Sequence, residues 1–273
     1  MDELYVITVY YVIDKLAQTF LPAQKYRPKM SVAEILTVAI VAARHCGNNL
    51  EQALLLMRQI GYIPKERCLS VSRFNRQLHQ NEAFLELCVE TLLELARTGD
   101  TFIIDSMPVP VCKRVRARRC RKVRGADFCG ICVAKKEKFF GWRLHLICSV
   151  DGRPANFTLL PASYHDLTPI FELTYDFPAG SRFFADKGYN YEEGETFLAL
   201  DNLRLLPIRK VNMQPHPWWD EWEIEAHRSS IETRNSQLES MGLERLKART
   251  NTGFTIKVHA SLIALWVTQS IPN

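Results

Sequence analysis

In WRLHLICSVDGRPANFTLL, residues 142–160, the side chains of Trp142, Leu144, Leu146, Cys148 and Val150 recur at every second position. That period belongs to a strand with one buried face. Asp151-Gly152 then supplies the pair that closes a tight turn, and Pro154 to Leu160 reads as the returning strand of a hairpin. Upstream, Thr101 to Asp105 (TFIID) is a short apolar strand ending in an acid. Downstream, Leu167 to Tyr175 reads as a helix, Arg182 to Asp186 (RFFAD) as a strand, Glu192 to Leu200 as a helix and Arg204 to Ile208 as a strand. A long helix follows, with Ile224, Ile231 and Leu238 seven apart on one stripe. The order βββ, α, β, α, β, α predicts a mixed five-stranded sheet flanked by helices, with ligands at the strand ends.

Residues 1–98 need no strand. Ile35, Val38, Ala39 and Ala42 recur at helical spacing, as do Ala53, Leu54, Met57 and Ile60. The segment Ser70 to Gln80 follows a short turn and carries Arg73, Asn75, Arg76, Gln77 and His79, groups that reach base edges or phosphates. An all-α N-terminal domain with a helix-turn-helix fits this pattern, and so does a small bundle whose polar face meets water. The composition, 47% hydrophobic and 24% charged over 273 residues, is that of a soluble globular chain. No apolar run approaches the ~20 residues of a membrane span. Asp2 and Glu3 stand where a secretory signal carries positive charge, which points to the cytoplasm.

The net charge of +5 is unevenly spread. Lys113, Arg114, Arg116, Arg118, Arg119, Arg121, Lys122 and Arg124 fall within twelve residues that contain no acid, and the remaining chain holds 27 basic against 30 acidic residues. Such a block is exposed, either stretched against a polyanion, for which nucleic acid is the natural candidate, or simply solvated. It lies in an insertion at about residues 106–141 that also contains Cys112, Cys120, Cys129 and Cys132. A single C-x-x-C is half of a zinc pattern, so ordinary reduced thiols are favoured over a zinc site. Cys46, Cys68, Cys88 and Cys148 read as buried free thiols, and no disulfide framework is expected.

The element order from residue 99 onward is that of a ribonuclease H-like domain. It sets Asp105 at the end of the first strand, Asp186 at the end of the fourth and Glu232 on the helix after the fifth. Phosphoryl transfer at a phosphodiester uses two divalent ions ~3.5–4 Å apart, held by a few carboxylates that would otherwise repel one another. The segments IIDSMPVPVCK, FFADKGYN and HRSSIETRNSQLE, with 80 and 45 residues between the three acids, resemble the signature segments of bacterial insertion-sequence transposases of the DDE type. The resemblance runs from about Thr101 to the C-terminus and is nearest to insertion-sequence family nine-eight-two.

That resemblance implies a transposase that cleaves transposon ends and joins the freed 3′-hydroxyl to target DNA. Asp105, Asp186 and Glu232 would be its catalytic and metal-binding residues, holding two Mg²⁺ or Mn²⁺ ions. In the related helix signature Y-x2-R-x3-E-x6-K, Arg228 matches, whereas Glu225 and Glu239 replace the tyrosine and the lysine; Lys247 and Arg249 follow further on. Lys187, Arg209 and Lys210 are further candidates for phosphate contact, alongside a plain surface-charge reading. Asp166 reads either as part of a His-Asp pair resembling one in these enzymes or as a helix N-cap. Trp218, Trp219 and Trp222 read as packing residues. The implied partners are double-stranded DNA, as terminal inverted repeats and target, and a second copy in a homodimer, with no membrane. A DNA-binding regulator without catalysis and a nuclease of the same fold without strand transfer are the competing readings.

Overall fold

The computed structural model describes all residues except 1, 24, 25, 27, 133, 134, 272 and 273, and all described side chains except those of residues 228–232. The chain divides into two compact units, Met1–Thr91 with Gln237–Asn273, and Leu92–Ser236. Among the described residues no helix is long and apolar enough to cross a membrane.

The first unit contains α1 (Glu3–Phe20), α2 (Val32–Cys46), α3 (Leu50–Gln59), α4 (Val71–Gln80), the start of α5 (Glu82–Ala96) and α9 (Asn251–Ser270). A capping box starts α2: the Ser31 hydroxyl accepts from the Glu34 N–H while the Glu34 carboxylate accepts from the Ser31 N–H. Gly47, left-handed at φ 52°, ends it. Helix α9 is buried along most of its length, and α1, α2 and α4 pack on it. A helix apolar on every side has to be covered on every side. This explains a departure from the expected single domain over 99–273, since the last helix completes the N-terminal bundle instead. The connection between α3 and α4 spans residues 60–70, longer than the three or four residues of a helix-turn-helix.

The second unit is built on a mixed sheet of six strands: β1 (Thr101–Lys113), β2 (Cys129–Cys132), β3 (Glu137–Ser149), β4 (Pro154–Pro161), β5 (Arg182–Ala185) and β6 (Arg204–Pro207). The neighbours run β2-β3-β1-β5-β6, with β4 also on β3. The β1–β3, β2–β3 and β3–β4 pairs are antiparallel, and β1–β5 and β5–β6 are parallel. The helices α6 (Ile170–Thr174) and α7 (Glu192–Leu200) belong to this unit, as does most of α8 (Trp218–Ser240). Five strands are where the sequence pattern places them. The sixth, β2, arises inside the insertion, where Cys129 to Cys132 pair with Glu137 to Phe140 and turn the base of the insertion into sheet.

Strand β1 runs eight residues beyond the TFIID segment, through Pro108 and Pro110, residues that cannot donate to a ladder. They are tolerated because β5 pairs only with Thr101 to Ile104, so one edge of β1 is open from Asp105 onward. At the bulge after Pro110 the facing residue is Gly141, where a Cβ would come within 2.6 Å of the Val111 nitrogen. Under the paired segment, Phe102, Phe177 and Phe183 meet with ring centroids 4.6, 5.7 and 5.1 Å apart. Each buried ring contributes roughly 1.5–3 kcal/mol, which fixes the register of β1 against β5.

Candidate active site

Register places the first two acids. Ile104 pairs with Ala185 in the parallel ladder, so Asp105 and Asp186 are the next residues along the two strands, Asp105 where the parallel pairing of β1 stops and Asp186 just past the carboxyl end of β5. Strands so paired lie ~4.8 Å apart. The Asp105 Oδ1 accepts from the Ser106 N–H at 2.7 Å, and its Oδ2 accepts from the Asn235 side-chain amide at 2.6 Å. Burial pushes the Asp105 carboxyl up to about 7 despite these two hydrogen bonds, and the negative charges of Asp186 and Asp166 push it the same way. Asp186 is exposed and opens the 3-10 turn Lys187–Tyr189 without a side-chain hydrogen bond capping it.

Helix α8 is docked on this edge of the sheet. Near its start, Arg204 Nη2 donates to the buried Asp220 at 2.8 Å, Arg182 pairs with Glu223, and Ile224 packs with Phe184 and Leu206. The His227 ring stacks on Phe184 with centroids 5.6 Å apart. Further along, Asn235 grips Asp105. Glu232 stands three residues before Asn235 in the same helix, close to one turn. The side chains of Glu232 and Arg228 lie outside the described residues.

Asp166 has a role that sequence reasoning only half saw. It is not a helix N-cap, since α6 begins at Ile170 behind Pro169. Its Oδ1 accepts from the Ser106 hydroxyl at 2.6 Å and pairs with Arg143 Nη1 at 3.5 Å, while that guanidinium also donates to the Ser106 Oγ at 3.2 Å. A Cβ on Gly188 would meet the Asp166 Oδ2 at 3.5 Å, so the carboxylate reaches the turn just after Asp186. Behind it, His145 is fully buried with Nδ1 4.0 Å from Asp166 Oδ1. Burial lowers its pKa to about 4, overriding the pull of Asp166, and Arg143 adds to the lowering, so the ring is neutral at pH 7. The signal that would have found this cluster is the β1–β3 register, which sets Ser106 opposite His145.

The donor set suits a hard divalent cation. Its groups are carboxylate oxygens, and one of them is held near its point of neutralisation by burial and like charge, a strain that a cation relieves. Among the described residues, no group of three or more His, Cys, Asp or Glu side chains is arranged to hold a metal ion, and Glu232 is not among them.

The candidate phosphate contacts divide sharply. Arg209 is committed: its Nη1 and Nη2 bond both oxygens of Glu195 at 2.6 and 2.7 Å, and Nη1 also reaches Asn190. Lys187 and Lys210 are exposed. In the insertion Arg114, Arg116, Arg118, Arg119, Arg121 and Arg124 are all exposed, and several line a concavity of about 950 Å³. The insertion is anchored beside it, with the Phe128 ring 4.9 Å from that of Trp142 and the Ser163 N–H donating to the Asp127 backbone carbonyl at 2.8 Å. Arg73 and Arg76 are exposed on α4. Burial raises the Cys112 thiol, and the neighbouring Cys120 raises it further. Cys88 and Cys148 are buried as expected, whereas Cys46 and Cys68 are half-buried. The tryptophans overturn expectation: Trp218, Trp219 and Trp222 are 75%, 54% and 71% exposed, because α8 turns Asp220 and Ile224 inward instead.

A family model described as a transposase DDE domain matches residues 95–250. Among solved structures, the cryo-EM structure of a piggyBac transposase synaptic complex with hairpin DNA is 11% identical, with 98% of this chain and 73% of that chain covered and a TM-score of 0.46. The crystal structure of a pre-cleavage Mos1 transpososome is 12% identical over 83% of this chain and 82% of that chain, with a TM-score of 0.23. No curated protein sequence matches.

Proposed function

Because the chain belongs to the transposase DDE domain family, we propose that it cleaves the ends of a mobile DNA element and joins the freed 3′-hydroxyl to target DNA on a ribonuclease H-like sheet. The observation that carries this reading is that Asp105 and Asp186 directly follow the last pair of the parallel β1–β5 ladder, with α8 tied to Asp105 through Asn235. Glu232, close to one turn before Asn235, completes the trio. Asp105, Asp186 and Glu232 would hold two Mg²⁺ or Mn²⁺ ions, which supply charge neutralisation and an activated oxygen nucleophile when bound.

The chain's own groups do the rest. Ser106 and Asn235 aim both oxygens of Asp105. Asp166, braced by Ser106 and Arg143, adds negative potential at the same edge, which favours a cation over an empty site. The neutral His145 fills the space behind it without opposing that charge. Lys187, Lys210, Arg228 and the insertion arginines are the groups assigned to DNA phosphates, whereas Arg209 serves to pin the strand end through Glu195. We also place the protein in the cytoplasm, as a homodimer working on two ends at once, and nearest to insertion-sequence family nine-eight-two.

The test is incubation of the purified protein with labelled DNA carrying the repeats that flank its gene, in Mg²⁺ or Mn²⁺. Cleaved and joined products from wild type, absent with Asp105→Ala, Asp186→Ala and Glu232→Ala, are expected. Cleavage without joining would make it a nuclease, and binding without either a regulator.

A further inference from the structure

We infer that the helical unit carries a DNA-backbone site of its own, a basic concavity between α4 and the segment that leads into α9. It rests on the reading of DNA as substrate, but uses none of the acids above. The concavity measures about 890 Å³. Arg245, Lys247, Arg249 and Lys257 line it against one carboxylate, Glu51, and Asn75 and His79 of α4 add an amide and an imidazole to the lining. Four cations to one acid in a recess focus positive potential more strongly than the same charges on a convex surface.

The wall is held in place before any ligand arrives. Lys257 Nζ donates to the backbone carbonyls of Asn48 and Lys247 at 2.9 and 2.8 Å, bracing the segment before α9 against the turn between α2 and α3. That turn is fixed in its turn by Asn48, 2% exposed, whose side-chain amide donates to Met241 O at 2.7 Å and to Ser261 Oγ at 2.9 Å. The ammonium of Lys257 is thus structural. The side chains of Arg245, Lys247 and Arg249 are exposed on a backbone that Lys257 braces at the Lys247 carbonyl. Cations on a braced backbone, facing a helix that offers amide and imidazole groups, match a run of phosphates along a duplex strand; a lone small anion would engage only a fraction of so wide a recess.

The experiment measures affinity of the full-length protein for a short labelled duplex, without divalent metal, between ~50 and 200 mM salt. The pair Lys247→Ala and Arg249→Ala should weaken binding about tenfold or more and reduce the slope of log affinity against log salt by about 1.8, or 0.9 for each lost phosphate contact. The charge-preserving pair Lys247→Arg and Arg249→Lys should keep the wild-type slope. Far-UV circular dichroism and thermal midpoint establish that both pairs fold, and Lys247→Gln with Arg249→Gln, which keeps the side-chain stems, substitutes if the alanine pair does not. An unchanged slope in the neutralised pairs, or an equal loss in the charge-preserving pair, overturns the inference. Metal-dependent cleavage that persists in wild type would then leave the functional reading standing, whereas a wild type that binds no duplex ends both.

Discussion

Asp105 carries an electrostatic conflict at the candidate site. Its carboxyl titrates at about 7 in the folded chain against 3.8 for the free group, because burial and the charges of Asp186 and Asp166 outweigh two hydrogen bonds. The folded state therefore holds more protons than the unfolded state between pH ~4 and ~7, so its stability falls as pH rises through that window and stays reduced above it. Metal-free Asp105→Asn should be more stable than wild type at pH 8 by roughly 2–4 kcal/mol and no more stable at pH 4, as read by urea melts at both pH values. A turned Asn235 amide keeps its bond to the new side chain. Added Mg²⁺ should raise the melting temperature of wild type at pH 8 and leave the variant unmoved. A variant that gains nothing at pH 8 would mean that Asp105 is not under this strain.

A second residue-scale expectation concerns Gly152, in the turn between β3 and β4. It is left-handed at φ 88°, and a Cβ there would collide with the Arg234 guanidinium, next to the Asn235 that holds Asp105. Gly152→Ala should cost at least ~1 kcal/mol and lower DNA cleavage by more than it lowers DNA binding, because it displaces the Arg234 guanidinium beside Asn235 and not the basic surface. Equal losses in the two assays would contradict this.

At the scale of elements, α8 is the piece on which the site depends, and its hold on the sheet is partly ionic. Asp220 is 1% exposed and answered by Arg204. Removing the cation leaves a buried carboxylate uncompensated, so Arg204→Met should destabilise by ~3 kcal/mol, and Asp220→Asn in the same background should restore part of that loss in a double-mutant cycle. Additive effects would show that the pair is not coupled. Much of this architecture was legible beforehand. The alternation in residues 142–150 and the Asp-Gly turn located β3 and β4, and Glu192–Leu200 is helical at the limits its pattern suggests. What escaped has physical causes. Four residues of β2 are too few to display a period, and the prolines of β1 hid a strand whose open edge only the short β5 creates. The place of Asp166 depends on a pairing register between strands nearly forty residues apart, and the outward-facing tryptophans on which stripe of α8 the sheet accepts.

For the whole molecule, charge is the organising quantity. A chain with net charge +5 concentrates eight basic residues in twelve positions of one insertion, where five exposed arginines line a recess. Replacing Arg114, Arg118, Arg119 and Arg121 by glutamine should lower the salt slope of duplex binding by ~3–4 units without changing the thermal midpoint, since none of the four is buried. An unaltered slope would assign the run to solubility alone. The proposed trio of acids, in contrast, would draw on two neighbouring strands and one helix, with Glu232 on the helix that Asn235 ties to Asp105. The most direct measurement of that arrangement is a Mn²⁺ titration followed by electron paramagnetic resonance. The account predicts two ions bound per chain in wild type, with binding lost or strongly weakened in each of Asp105→Ala, Asp186→Ala and Glu232→Ala. Titration curves that superimpose for wild type and any of the three variants would contradict it.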